Sequence, residues 1–76
     1  MNEELKKLIA NKLNISIEEV ETYKYREIPE LNAIHVWNPT RGGLSILIDS
    51  NNEMLIATSS VNFKNHVKGF LMGIRN

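Results

Sequence analysis

The chain predicts an α+β fold of order α-β-β-β(-β)-α, an antiparallel meander of three or four strands with an N-terminal and a C-terminal helix packed on it. Three observations carry this. Apolar residues recur at helical spacing near both ends. Short runs of β-formers, bounded by polar turns, fill the middle. The stretch from Arg41 to Thr58 reads as two apolar runs around a polar turn, a β-hairpin on which the rest can pack.

The first helix spans Asn2 to Asn14. Leu5, Leu8, Ile9 and Leu13 make one stripe, Asn2 can cap the first free amides, and Glu3 and Glu4 suit the positive helix start. Asn14 tolerates the left-handed conformation that ends many helices. Ser16-Ile17-Glu18-Glu19 has capping-box spacing and starts a single turn through Val20. Residues 21–28 read as a strand that Pro29 ends. Tyr23 and Tyr25 share one of its faces, Lys24 and Arg26 the other. Ala33 to Trp37 is a second strand, with Ile34 and Val36 on one side and Ala33, His35 and Trp37 on the other. Asn38-Pro39-Thr40-Arg41-Gly42-Gly43 is a turn whose paired glycines suit φ values that a side chain forbids.

A tight Asn51-Asn52 turn sets Asp49 against Met54, Ile48 against Leu55 and Ile46 against Ala57. Leu44, Ile46, Ile48, Leu55 and Ala57 then share a face, and Ser45, Leu47, Asp49, Met54, Ile56 and Thr58 the other. A one-residue slip exchanges the faces of the second strand. The last helix covers about 62–75. Its stripe is Phe63, Val67, Phe70, Leu71 and Ile74, and His66 falls on the polar side. Gly69 and Gly73 cost helix stability, which points to close packing or fraying there.

Seventy-six residues make one domain with little surface to bury, and with no cysteine the fold rests on apolar packing, helped by self-association if at all. Nine basic and nine acidic residues balance, which argues against a general nucleic-acid binder. After Glu53 come Lys64, Lys68 and Arg75 and no carboxylate, a basic end that can pair with the acidic 18–30 region. No apolar run approaches the ~20 residues that a membrane span needs. The polar start has no signal-peptide pattern, so the expected compartment is the cytoplasm.

Chemistry-bearing patterns are sparse. His35 and His66 form no helical metal pair, so no metal or cofactor is expected. Catalysis by His35 needs a partner such as Asp49 or Glu53, and no spacing selects either. The chain therefore reads as a non-enzyme. Arg41-Gly42-Gly43-Leu44-Ser45 can form an anion-binding nest but lacks the phosphate-loop pattern. The element order is similar to that of double-stranded-RNA-binding domains, but Lys64 and Lys68 fall short of the lysine cluster those domains carry.

Two arrangements remain open. If both helices cover one sheet face, the other keeps His35, Trp37 and Leu47, joined by Tyr23 and Tyr25, as a partner site or dimer interface. If one helix covers each face, nothing apolar is left over.

The run from Gly42-Gly43 to Ile48-Asp49, its polar turn, Glu53 to Ala57, Ser59 and an amphipathic helix resembles the C-terminal half of some small bacterial immunity proteins. Such proteins neutralise toxins by binding them. The resemblance covers about 41–75 and implies a binding module; it carries over no site residue, and the first 40 residues do not match it. The expectation is a small cytoplasmic protein-binding domain of immunity or regulatory type. Its partner is another protein or a second copy of itself. The alternative is an RNA- or DNA-binding module.

Overall fold

A computed structural model describes residues 1–40, 43–58 and 60–76. Its elements are α1 (Glu3–Leu13), α2 (Ile17–Glu21), β1 (Lys24–Ile28), a 3₁₀ turn (Pro29–Leu31), β2 (Ala33–Trp37), β3 (Ser45–Ile48), β4 (Met54–Ala57) and α3 (Phe63–Leu71). The four strands form one antiparallel sheet in the order β1-β2-β3-β4, the predicted meander.

Local signals act where the sequence places them. Asn2 Oδ1 accepts from the Leu5 N–H at 2.7 Å and Asn14 closes α1 at φ 57°. Ser16 Oγ accepts from the Glu19 N–H at 3.2 Å, starting α2. After α3, Gly73 stands at φ +87° and donates to Phe70 O while the Ile74 N–H donates to Gly69 O, the paired bonds of a Schellman stop. Gly73 therefore ends the helix. Gly69 lies inside it, where a Cβ would meet Leu55 Cδ2 at 3.4 Å.

One helix packs on each face of the sheet. On one face, Leu5, Ile9 and Ala10 of α1, with Val20 and Tyr23, cover Val36, Ile46, Ile48 and Met54. On the other, Phe70 and Val67 of α3 lie on Ala33, Leu47 and Leu55. Of the two arrangements the sequence leaves open, this is the one with a helix on each face, and α3 covers the Leu47 part of the second face. Each of two thin cores must exclude water. Burying a Leu or Ile is worth roughly 1.5–3 kcal/mol, so leaving the Leu47 face wet would forfeit much of the stability.

The hairpin corrects the predicted register by one residue: Ser45 pairs with Ala57, Ile46 with Ile56, Leu47 with Leu55 and Ile48 with Met54. The cause is the turn. Asp49 N–H donates to Glu53 O and Asn52 N–H to Asp49 O, closing a three-residue loop with Asn52 at φ 64°. Asp49 Oδ1 accepts from the amides of Asn51 and Glu53 at 2.8 and 2.9 Å, which holds that loop. Met54 and Ile56 thereby turn toward α1, and Leu55 toward α3.

Of the glycine-rich turn, Arg41 and Gly42 lie outside the described residues, as does Ser59. The proposed Arg41–Ser45 nest therefore falls partly outside them. Gly43 is required for space: a Cβ there would sit 2.6 Å from Asn38 Cβ and 2.7 Å from Asn38 O. Beyond α3, Asn76 lies along the open edge of β4. Its N–H donates to Met54 O at 2.8 Å and its Oδ1 accepts from the Ile56 N–H. Arg75 fastens the segment to Asp49 Oδ2 at 3.0 Å, its guanidinium 3.9 Å from the Phe70 ring centre. No helix among the described residues is long and apolar enough to cross a membrane.

Candidate functional site

The sheet register gathers one polar and aromatic cluster on the α3 face. Arg26 of β1 stands opposite His35 of β2, Lys24 opposite Trp37, and Ser45 of β3 opposite Trp37 on the other side. Phe63 and His66 come from the first turns of α3, which Asn62 caps through the Asn65 N–H at 2.9 Å. Trp37 stacks on the His35 imidazole, centres 4.8 Å apart and planes 20° apart, and Phe63 packs on the same ring at 4.7 Å. The Arg26 guanidinium lies 5.6 Å from the Phe63 ring centre, within cation–π reach.

Beneath these rings runs a chain of side-chain hydrogen bonds. His35 Nε2 is 2.7 Å from Ser45 Oγ, Ser45 Oγ is 3.2 Å from His66 Nδ1, and His66 Nε2 is 2.7 Å from Leu55 O. Chemistry assigns the protons. A carbonyl only accepts, so His66 Nε2 carries hydrogen. In neutral His66 the Nδ1 is then an acceptor, and Ser45 O–H donates to it. Ser45 Oγ in turn accepts from His35 Nε2–H. This leaves His35 Nδ1 unprotonated, buried and without a hydrogen-bond partner. The His35 pKa falls to about 4. Burial is the main cause, with the positive charge of Arg26 next. His35 is thus neutral near pH 7.

Above the chain opens a cleft of about 410 Å³ whose walls include Arg26, Trp37, Leu44, Ser45, Val61 and Phe63. No carboxylate is among its described lining residues. A second hollow of about 490 Å³ lies between α1, the hairpin tip and the chain end. Its two basic groups are already engaged: Arg75 holds Asp49, and Lys12 Nζ donates to Asn76 O at 2.9 Å. Among the described residues, no three His, Asp or Glu side chains converge as a metal set.

The five residues picked from the sequence separate. His35 and Trp37 sit together at the cleft, His35 buried and Trp37 half-buried. Leu47 is 0 % exposed under α3 and is a core residue. Tyr23 is buried in the other core. Tyr25, 49 % exposed, pairs with Val36 and so points to the α1 side, away from Trp37. Asp49, a candidate partner for His35, is bound to Arg75 and its own turn. His66, assigned to the polar side of its helix, is 3 % exposed. Sequence reasoning also missed Ser45 and Phe63 as site residues. One signal was available: His66 precedes Phe70 by four positions, which puts both on one helix face.

No protein-family model, curated protein or solved structure matches the chain.

Proposed function

We propose that this chain is a protein-binding domain acting by surface complementarity, and that its partner presents an extended acidic segment to the Trp37–Phe63 cleft. The observation that carries this is the cleft's make-up. Half-buried Trp37 and the exposed rims Phe63 and Val61 share the cleft with Arg26, with no carboxylate among the described lining residues. Aromatic rings and arginine are the usual anchors of protein interfaces. Lys24 extends the positive charge along the same face of β1, and the first turn of α3 holds no acidic residue.

A foreign partner is favoured over a second copy at the neighbouring sheet edge. Ladder alternation aims the backbone groups of Tyr25 and Glu27 outward from β1. Antiparallel self-pairing there would set Arg26 against Arg26, Lys24 against Arg26, or Glu27 against Glu27. An immunity or regulatory role fits such a module. The cysteine-free composition fits the reducing cytoplasm, where we place it. The nucleic-acid alternative has less support, because α1 and α3 lie on opposite faces and offer no common surface to one groove.

The test is a Trp37 fluorescence titration with a synthetic peptide alternating glutamate and leucine, beside its lysine counterpart. The expected result is saturable binding of the glutamate peptide alone, weakened by salt and lost in Arg26→Glu. Equal binding of both peptides, or of neither, overturns it. So does a concentration-dependent dimer by light scattering that Phe63→Asp dissolves. Salt-dependent binding of double-stranded RNA by the wild type would favour the alternative.

A further inference from the structure

We propose that Ser45 is the nucleophile of an acyl-transfer site, with His66 as its general base and a carboxylic ester bearing a small apolar acyl group as its donor. The geometry has the three links that activate a hydroxyl: nucleophile, base and orienting group. Ser45 O–H donates to His66 Nδ1 at 3.2 Å, and the far side of that ring is held by Leu55 O at 2.7 Å. The carbonyl fixes the tautomer in which Nδ1 is free to take a proton. It is a positioning group, as an orienting carboxylate is elsewhere.

Two further observations separate this from a hydroxyl satisfied inside a core. Ser45 lines the cleft rather than being sealed from it, and the apolar walls Trp37, Leu44, Val61 and Phe63 suit an acyl chain. Ser45 Oγ also lies between two imidazoles, so the hydroxyl that donates to the base is held in place by a second ring. His35 Nε2–H, 2.7 Å from the same oxygen, donates to it and so turns the hydroxyl hydrogen toward His66 Nδ1. Burial keeps that imidazole neutral.

The steps balance. Ser45 Oγ bonds to the ester carbon as its proton passes to His66 Nδ1, and the carbonyl electron pair moves onto oxygen. Collapse of the adduct breaks the bond to the leaving alkoxide, which takes the proton from His66 and departs as alcohol. Water then repeats the sequence on acyl-Ser45, releasing the carboxylic acid and restoring the hydroxyl.

The experiment treats the native protein with p-nitrophenyl acetate, follows nitrophenolate release, and locates the acetyl group by peptide mass mapping. An initial burst and one acetyl group on Ser45 are expected. Ser45→Ala removes both, and His66→Gln slows release by about a hundredfold or more. Circular dichroism of each variant separates lost chemistry from lost fold. The mapping of wild-type protein needs no variant at all. Acetylation confined to lysines, an unlabelled Ser45, or equally fast labelling in urea overturns the inference. The result is independent of whether the acidic peptide binds, so the two proposals stand or fall separately.

Discussion

His35 and Ser45, on neighbouring strands, share a 2.7 Å hydrogen bond that leaves the other nitrogen of His35 buried and without a partner. Stability should depend on pH because of this. The His35 pKa is about 4 in the fold against 6.5 for a free histidine, lowered mainly by burial. Below pH 6.5 the unfolded chain binds a proton that the folded chain refuses, so stability falls with falling pH and levels off near pH 4. The slope from this group is at most about 1.4 kcal/mol per pH unit. Urea unfolding at several pH values should show it, and His35→Phe should flatten it. A slope that survives the substitution places the proton elsewhere.

Acid should act a second time, lower down. For Asp49, burial alone would raise the pKa. The Glu53 amide, the Arg75 side chain and the Asn51 amide together hold it below 3.8. Its stabilisation is present above that value and is lost as pH falls through the depressed one. Asp49→Asn should remove this lower limb and leave the His35 limb in place.

Leu47 is fully buried against Phe70, so its role is packing. Leu47→Ala should cost about 2–5 kcal/mol by denaturant unfolding. Leu47→Asp should lose helical circular dichroism altogether, since it buries an unpaired charge. A folded Leu47→Asp protein would mean that α3 does not cover that face.

The hairpin register hangs on Asn52 at φ 64°. Asn52→Ala should cost about 1 kcal/mol, because a Cβ without a local hydrogen-bonding group resists the left-handed region. Asn52→Gly should stay near wild type. If alanine is as well tolerated as glycine, the turn is not what sets the pairing.

Gly43 and Gly73 separate two reasons for a glycine. Gly43→Ala would drive a Cβ to 2.7 Å from the Asn38 backbone oxygen and should shift the β2–β3 connection, read as a changed Trp37 emission. Gly73→Ala meets no atom within 4 Å, and its cost is the positive φ alone, about 1 kcal/mol.

Much of this molecule is set by the order of its residues. Caps at Asn2 and Ser16, the left-handed stop at Asn14 and the strand ended by Pro29 all rest on contacts within a few positions, and the meander order follows from short connections between successive strands. Such contacts are legible because local geometry decides them. The alternation in β2 likewise placed His35 and Trp37 together on one face.

Tertiary structure decided the rest. Periodicity says that a helix has an apolar side but not which sheet face receives it, so the choice that buried Leu47 and half-covered Trp37 lay with long-range packing. A one-residue difference in the hairpin loop exchanged the β4 faces and turned Leu55 toward α3, where its carbonyl meets His66. The His35–Ser45–His66 chain joins residues 10 and 21 positions apart on three elements. No spacing encodes it, because it exists only once the sheet register and the seat of α3 are both fixed.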